Sequence, residues 1–321
     1  MKLPEIVFLD AYTMNPGDLD FSPLQNLGHC TFYDRTQPNE LAERAGEADI
    51  IIVNKFPINR GTLAFMPKVK YICVAATGYN NIDIQAVREK NIPVSNVRDY
   101  STDSVVQHVF ASILSGYNRI EEYDRQVKSG TWSNQPDFCY YDQTIPSLRQ
   151  KTIGIAGYGS IGKKVASIAL AFGMKVIVYT RSGITNQFGI TQVGLDELFL
   201  QADILTLHMP LTEETRKFIR KEYLRLMKPG SVIINTARGP LVDVDDLLEA
   251  LNSGILAGAY LDVWETEPPS DHHPLLLHPD CKMTPHVAWA GIEARQNLLE
   301  GIVGNIRAFL DGKWIFPVYQ V

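Results

Sequence analysis

The stretch Thr152–Val178, TIGIAGYGSIGKKVASIALAFGMKVIV, constrains this chain more than any other. A short apolar run, Ile153 and Ile155, leads into Gly157-Tyr158-Gly159-Ser160-Ile161-Gly162. A segment of helical period follows through Val165, Ile168, Ala169 and Phe172. After a glycine comes the β-branched run Val176–Val178. Strand, glycine turn, helix and strand in that order is the setting in which G-x-G-x-x-G marks a dinucleotide-binding unit. Gly157 permits the tight turn, Gly159 lets a pyrophosphate approach the backbone, and Gly162 lets the helix pack close to the strand. The helix N-terminus then offers N–H groups and a partial positive charge to phosphates.

At 321 residues the chain is long for one core, so two domains are expected. A net charge of −6 argues against a nucleic-acid face or binding to an anionic membrane. The cysteines, Cys30, Cys73, Cys139 and Cys281, are scattered without a CxxC pair and read as reduced thiols. The apolar run in MKLPEIVFLDAY is too short for a signal peptide, and no run reaches spanning length. These features predict a cytoplasmic protein.

Residues 1–100 alternate strand-like runs (Ile6–Leu9, Thr31–Tyr33, Ile50–Val53, Tyr71–Ala75, Val94–Val97) with helical patterns such as Glu40–Gly46 and Ile84–Lys90. That rhythm predicts a parallel sheet covered by helices. Residues 102–129 form the longest helical pattern, with Val105, Val106, Val109, Phe110, Ile113, Leu114, Tyr117 and Ile120 on one stripe. It suits a link between domains or a subunit contact. Six further strands are expected at Ile153–Ala156, Val176–Tyr179, Ile204–Leu207, Val232–Asn235, Ala259–Val263 and Lys282–Thr284, as a six-stranded dinucleotide fold needs. Helices at Leu195–Leu200 and Val244–Asn252 lie between them, the second with Asp243 near its N-cap. A last amphipathic helix, Ile292 to Phe309, can return to the first domain.

Ligands of open α/β sheets gather at the carboxyl ends of strands. The residues just past those ends are Thr180-Arg181-Ser182, His208-Met209-Pro210, Thr236-Ala237-Arg238-Gly239, Asp262 with Glu267, and His286. An arginine, a carboxylate and a histidine thus fall at one rim. Interconverting a secondary alcohol and a ketone needs one group that serves as base and acid, and histidine suits both. A neighbouring carboxylate orients the ring, and an arginine binds a carboxylate or polarises the carbonyl of a 2-oxo acid. Taken singly, Arg238 also reads as a surface ion-pair residue, Glu267 as a solvated loop carboxylate with Glu265 as rival, and His286 as a hydrogen-bonded histidine behind Pro285.

These residues carry a resemblance. GYGSIG, LHMPLT, INTARGPLVD, LDVWETEPP and TPHVAW, in this order, resemble the D-isomer-specific 2-hydroxyacid dehydrogenase family, and ATGYNNID and YSTDSV extend the match into the first domain. PGDL, YDRT, DYSTDSV and the PDFCYYD loop are most similar to its glycerate dehydrogenase/hydroxypyruvate reductase branch. Formate dehydrogenases place glutamine where this chain has Glu267, which disfavours formate. The resemblance implies α/β architecture with two doubly wound parallel-sheet domains. A Rossmann cofactor domain, residues 101–290, is inserted in a discontinuous flavodoxin-like substrate domain, residues 1–100 and 291–321. It implies Arg238 as the substrate anchor, His286 as acid/base beside the nicotinamide, and Glu267 as its partner. It further implies cofactor contacts from Ser160, Ile161, Met209, Pro210, Thr215, Thr236, Ala237, Arg238 and Asp262, the last through the nicotinamide amide. The backbone of Thr77-Gly78-Tyr79 would hold the substrate carboxylate; the stretch Gly78–Asp83 equally reads as a turn capping the next helix. The implied reaction is hydride transfer between NAD(P)H and a small 2-oxo acid, hydroxypyruvate/D-glycerate or glyoxylate/glycolate, with a homodimer through the 102–129 helix. A dinucleotide-sensing corepressor on the same fold is the alternative, although no basic or disordered tail for recruiting partners is evident.

Two departures stand out. About twenty residues past Gly157, an NAD enzyme usually carries an acid for the ribose 2′-hydroxyl. Here the strand ends in Thr180-Arg181-Ser182, which favours NADP(H) over NAD(H) through a charge-assisted contact to a 2′-phosphate. Arg98, near the hinge, replaces a proline common in the family. His272, His273 and His278 lack metal-ligand spacing and read as a solvated loop, so no metal is expected. His208 fits either a place near the phosphates or a structural hydrogen bond. His108 and His29 read as core or surface histidines, and Trp132 and the aromatics of Phe138–Tyr141 as packing groups.

Overall fold

The computed structural model describes residues 3–184, 187–270 and 272–319. Met1 and Lys2, heading the N-terminal apolar run, and Asp271, beside His272, lie outside the described residues. Contacts divide the chain into two compact units, Met1–Ser101 with Trp289–Val321, and Thr102–Ala288.

The first unit holds five parallel strands: β1 (Glu5–Phe8), β2 (His29–Phe32), β3 (Ile50–Val53), β4 (Tyr71–Val74) and β5 (Val94–Asn96). Their order, β2-β1-β3-β4-β5, is the flavodoxin-like one. β3 and β4 are buried at every residue, as strands covered on both faces must be. Side chains alternate along each strand. Val7, Ile51, Ile72 and Val94 therefore meet Leu41, Leu63 and Val87 on one face, while Ile6, Phe8, Ile50 and Ile52 face the other way. That second face is covered by the helix Ile292–Leu310 through Leu298, Leu299, Ile302, Val303 and Ile306. Each such side chain contributes about 1.5–3 kcal/mol of burial. Arg295, on the same helix, donates to both carboxylate oxygens of Asp18 at 2.6 Å and ties it to the loop after β1.

The second unit holds seven parallel strands: β6 (Thr152–Ala156), β7 (Lys175–Tyr179), β8 (Ile190–Gln192), β9 (Ile204–Leu207), β10 (Ser231–Asn235), β11 (Leu256–Leu261) and β12 (Cys281–Met283). The order β12-β11-β10-β9-β6-β7-β8 is the dinucleotide-binding arrangement with its switch point between β6 and β9, extended by one strand. Six strands were expected; the extra one is β8. It is three residues long at the sheet edge, with Thr191 and Gln192 exposed, so it leaves no apolar run to find.

The helical pattern at 102–129 is not one helix. It divides at Arg119, whose φ of +52° is left-handed, into Thr102–Asn118 and Ile120–Lys128. The stripe from Val105 to Ile113 is buried, but Ile120 is 64% exposed and no residue of the second helix is buried. With nothing apolar to hold, the second segment has no reason to continue the first. Trp132, Phe138 and Tyr141, read as packing groups, are exposed and join no buried cluster. Among the described residues no helix is long and apolar enough to cross a membrane.

Candidate active site

Hydrogen-bond register sets Tyr179, Ala156, Leu207, Asn235, Leu261 and Met283 side by side across the second sheet. The residues that follow this one rung are Thr180, Gly157, His208, Thr236, Asp262 and Thr284. Residues scattered from 157 to 286 in the chain thereby emerge along one edge of one unit, which is where a doubly wound sheet binds its ligands.

At the switch point Gly157 has φ +99°, and an added Cβ would lie 2.6 Å from the carbonyl carbon of His208. The turn after β6 therefore presses on the chain leaving β9, and only glycine fits there. Gly162 packs as closely on the carbonyl of Gly157. Gly159 differs: a Cβ there would meet nothing within 4 Å, so the space above it is open. It is the N-cap of the helix Ser160–Ala171, whose first turn holds Ser160 and Ile161 and which no side chain caps. An open, uncapped helix start is a phosphate cradle. Across the rung, the Thr236 hydroxyl is buried without a hydrogen-bond partner, a vacancy suited to a polar ligand. Both observations fit a dinucleotide.

Other residues that the resemblance assigns to cofactor contacts lie along this edge. Met209 is buried, and the Thr215 hydroxyl donates to the Pro210 carbonyl at 2.8 Å, stapling the loop after β9. Ala237 N donates to the buried Asn235 side chain, whose amide in turn donates to the Arg238 carbonyl at 2.8 Å. Asn235 thus shapes the turn that delivers Arg238, a role no sequence pattern disclosed. The His208 ring bonds the Thr206 hydroxyl at 2.9 Å, and burial pushes its pKa down to about 3. It is a neutral hydrogen-bonding group. Arg181 and Ser182 follow β7 at the surface, where Arg181 pairs with Glu214 at 2.9 Å. Two exposed partners gain little from such a pair, about 0–1 kcal/mol.

Glu267 and His286 meet. His286 Nδ1 stands 2.6 Å from Glu267 Oε2, and Glu267 Oε1 accepts from Trp264 N at 2.9 Å. Both carboxylate oxygens are therefore engaged and the ring orientation follows from theirs. The ring's partner is Glu267 and not its rival Glu265, although both are exposed. His286 has φ +54°, an uncommon backbone for a residue with a side chain. Arg238 follows β10 half-buried, its Nη1 donating to the Ala237 carbonyl at 2.6 Å. An apolar cavity of about 470 Å3 lies beside Glu267 and His286, walled by Trp264, Pro268, Leu276, Met283 and Pro285.

Asp262 has an occupation beyond the cofactor contact that the resemblance implies. It is 1% exposed; Oδ1 accepts from the Thr284 hydroxyl at 2.5 Å and Val287 N at 2.9 Å, and Oδ2 from Ala288 N at 2.9 Å. Those donors bracket His286. Because the Thr284 hydroxyl donates to Asp262, it accepts from His108 Nε2, 3.1 Å away on the helix Thr102–Asn118. Ser104, on that helix, donates to the Ala288 carbonyl at 2.6 Å. The turn that carries His286 is thus clamped from a strand end and from a helix. In the first unit, Thr77, Gly78 and Tyr79 follow β4; Asn96 donates to the Thr77 carbonyl at 2.6 Å, and Asp83 caps the helix Ile84–Glu89 by accepting from Ala86 N. Among the described residues no group of three or more His, Cys, Asp or Glu can hold a metal ion.

Comparison with known proteins gives the same picture. Residues 110–288 match the NAD binding domain of the D-isomer specific 2-hydroxyacid dehydrogenases. The hydroxypyruvate reductase of Blautia hydrogenotrophica is 42% identical over 313 residues, 96% of this chain and 97% of that protein. The glycerate dehydrogenase of Methylorubrum extorquens is 39% identical over the same shares. Among solved structures, an acyclic imino acid reductase (Bsp5) in complex with NADPH and D-Arg covers 98% of this chain, and is itself wholly covered, at a TM-score of 0.87 and 30% identity. The D-lactate dehydrogenase of Aquifex aeolicus, complexed with NAD and lactic acid, has a TM-score of 0.80 at 30% identity, covering 96% of each chain. These relatives carry enzyme names, and nothing in them favours the corepressor reading. The chain belongs to the D-isomer specific 2-hydroxyacid dehydrogenases, oxidoreductases that interconvert 2-oxo and 2-hydroxy acids with a nicotinamide dinucleotide.

Proposed function

We propose that the protein reduces hydroxypyruvate or glyoxylate, to D-glycerate or glycolate, with NADPH favoured over NADH. The observation that carries the catalytic part is the Glu267–His286 pair on the same sheet edge as the glycine turn. Glu267 receives Nδ1 of the ring, which leaves Nε2 as the atom that exchanges a proton with substrate. The glycine turn, the start of the helix Ser160–Ala171 and Thr236 would hold a nicotinamide dinucleotide, whose chemistry would be to supply the hydride. As a C–H bond forms at the substrate's C2, the carbonyl π bond breaks and its oxygen takes the proton of His286. Arg238 holds the carboxylate and polarises the carbonyl with its planar fork.

Substrate choice draws on the relatives named hydroxypyruvate reductase and glycerate dehydrogenase. The NADPH preference draws on Arg181, whose weak surface pair with Glu214 is readily exchanged for a 2′-phosphate. Four unpaired cysteines agree with a reducing, cytoplasmic setting. The exposed Ile120 and Val127 agree with a homodimer that uses the 102–129 region, which light scattering of the purified protein tests.

Turnover of hydroxypyruvate and glyoxylate with NADPH and NADH tests the whole reading. His286→Gln lowers turnover by about 10²–10⁴-fold while dinucleotide affinity is kept. Equal loss of both defeats the acid/base assignment, and negligible wild-type turnover of any 2-oxo acid returns the corepressor reading. Arg181→Asp lowers the NADPH/NADH preference by about 10–100-fold; an unchanged ratio rejects the 2′-phosphate contact.

A further inference from the structure

The acid that usually reads the ribose 2′-hydroxyl is missing from the end of β7, where no residue from Thr180 to Ile184 is acidic. The fold brings one there from elsewhere. Glu214, thirty-three positions past Arg181, lies in the loop after β9, and its Oε2 accepts from Arg181 Nη1 at 2.9 Å. In the order β9-β6-β7 the two loops leave from either side of β6. An acid and a base therefore meet across the strand that carries the glycine turn.

Both loops are held by clasps on their backbones. Gln192, on the edge strand β8, closes the first: its Nε2 donates to the Thr180 carbonyl at 3.3 Å, and its Oε1 accepts from Ile184 N at 2.9 Å. The extra strand thereby gains a task. Thr215 closes the second, its hydroxyl donating to the Pro210 carbonyl and accepting from Thr212 N, each at 2.8 Å. The charged tips are free by comparison, with the Arg181 and Glu214 side chains 67% and 76% exposed. A pair in that setting brings two groups together without locking them.

The two tips make opposite demands on one ligand position. A guanidinium favours a 2′-phosphate, which carries close to two negative charges near neutral pH. A carboxylate only accepts hydrogen bonds, so it welcomes a 2′-hydroxyl and repels a 2′-phosphate. A phosphate that takes Arg181 must open the pair and lie near the displaced acid. A hydroxyl leaves the pair intact.

We infer, on the reading that the loop after β7 meets the ribose 2′-position, that Glu214 is the second determinant of cofactor choice. It stands in for the missing ribose acid, serves NADH, and holds down the preference for NADPH that Arg181 creates. The protein therefore takes both dinucleotides, with a bias set by two opposed side chains.

Fluorescence titration of the full-length protein with NADPH and with NADH measures the ratio of their affinities. Glu214→Gln keeps the shape and removes the charge; it raises the NADPH/NADH affinity ratio by about 5–20-fold, mostly through tighter NADPH. Glu213→Gln makes the same change of charge one residue away and moves the ratio by less than about twofold. These side chains are exposed, so the changes do not endanger folding. An unchanged or lower ratio in Glu214→Gln overturns the inference. So does an equal rise in Glu213→Gln, which makes the effect one of net charge. Arg181→Gln keeps the two readings apart. If it leaves the ratio unchanged while Glu214→Gln raises it, the phosphate contact of Arg181 fails and the role of Glu214 stands. If it lowers the ratio while Glu214→Gln has no effect, Arg181 stands and Glu214 fails.

Discussion

Replacing Asp262 with asparagine keeps the size of the side chain and removes its charge, and the structure sets the cost. The carboxylate is buried and takes three donors, the Thr284 hydroxyl and Val287 N on Oδ1 and Ala288 N on Oδ2. Each bond to a charged acceptor contributes about 1.5–3 kcal/mol. In asparagine one oxygen becomes an NH2 group. Placed at Oδ2 it faces the N–H of Ala288, donor against donor; placed at Oδ1 it faces two donors instead. The cheaper arrangement forfeits the Ala288 bond and weakens the other two, for a total of roughly 3–5 kcal/mol, the usual range for breaking a buried charge cluster. Urea unfolding followed on the second unit should show a lower midpoint with an unchanged slope. Turnover should fall with it, because His286 lies between Thr284 and Val287 on the turn that these bonds hold. If Asp262 served only to bind the nicotinamide amide, the variant would unfold like the parent and bind dinucleotide more weakly. A stability change below about 0.5 kcal/mol therefore refutes the clamp.

Three further outcomes follow from the same site. Gly159→Ala should leave unfolding unchanged within about 0.5 kcal/mol, since its Cβ meets nothing within 4 Å, yet weaken NAD(P)H binding measured by fluorescence titration. Undiminished affinity would mean that the open space is not the phosphate cradle. Glu267→Gln should lower kcat by about 10²-fold or more with little change in stability, because only the ring's orienting partner is lost; wild-type kcat would contradict the pair's role. His208 stays neutral in the folded protein down to about pH 3, whereas the unfolded chain protonates it below its ordinary value of 6.5. Its contribution is nil above pH 6.5 and turns destabilising as the pH falls. Between pH 7 and pH 5 the parent should lose about 2 kcal/mol more than His208→Gln in paired urea titrations. Equal losses would show that the ring is not held neutral by burial.

What could be read from the sequence divides along a physical line. Buried parallel strands are continuous apolar runs, so Ile50–Val53 and Ile204–Leu207 were located to the residue. The glycine turn was equally plain, because only glycine tolerates both the φ of +99° at Gly157 and the closeness of His208 behind it. Edge strands and surface segments answer to different forces. Ile190–Gln192 has one apolar residue, Ile190, to pack and anchors its end through the Gln192 side chain, so no apolar run announces it. The periodic stripe at 102–129 held as far as there was core to face and stopped at Arg119, where there was none.

The site shows the same division one level up. Arg238, Glu267 and His286, the residues proposed to carry the chemistry, stand out in the sequence because their chemistry is scarce and follows strand ends, and the fold brings the last two together. The groups that aim them do not stand out. Asn235, His108, Thr284 and the second occupation of Asp262 are ordinary residues in ordinary positions until the fold joins them. Side chains that touch substrate are chosen for what they can do to a proton or a charge, and residue type discloses that. Side chains that hold them are chosen for where a hydrogen bond ends, and that is known only once β11, β12 and the helix Thr102–Asn118 stand together. Local pattern therefore names the reactants of such a site, whereas the precision with which they are held is a property of tertiary contacts alone.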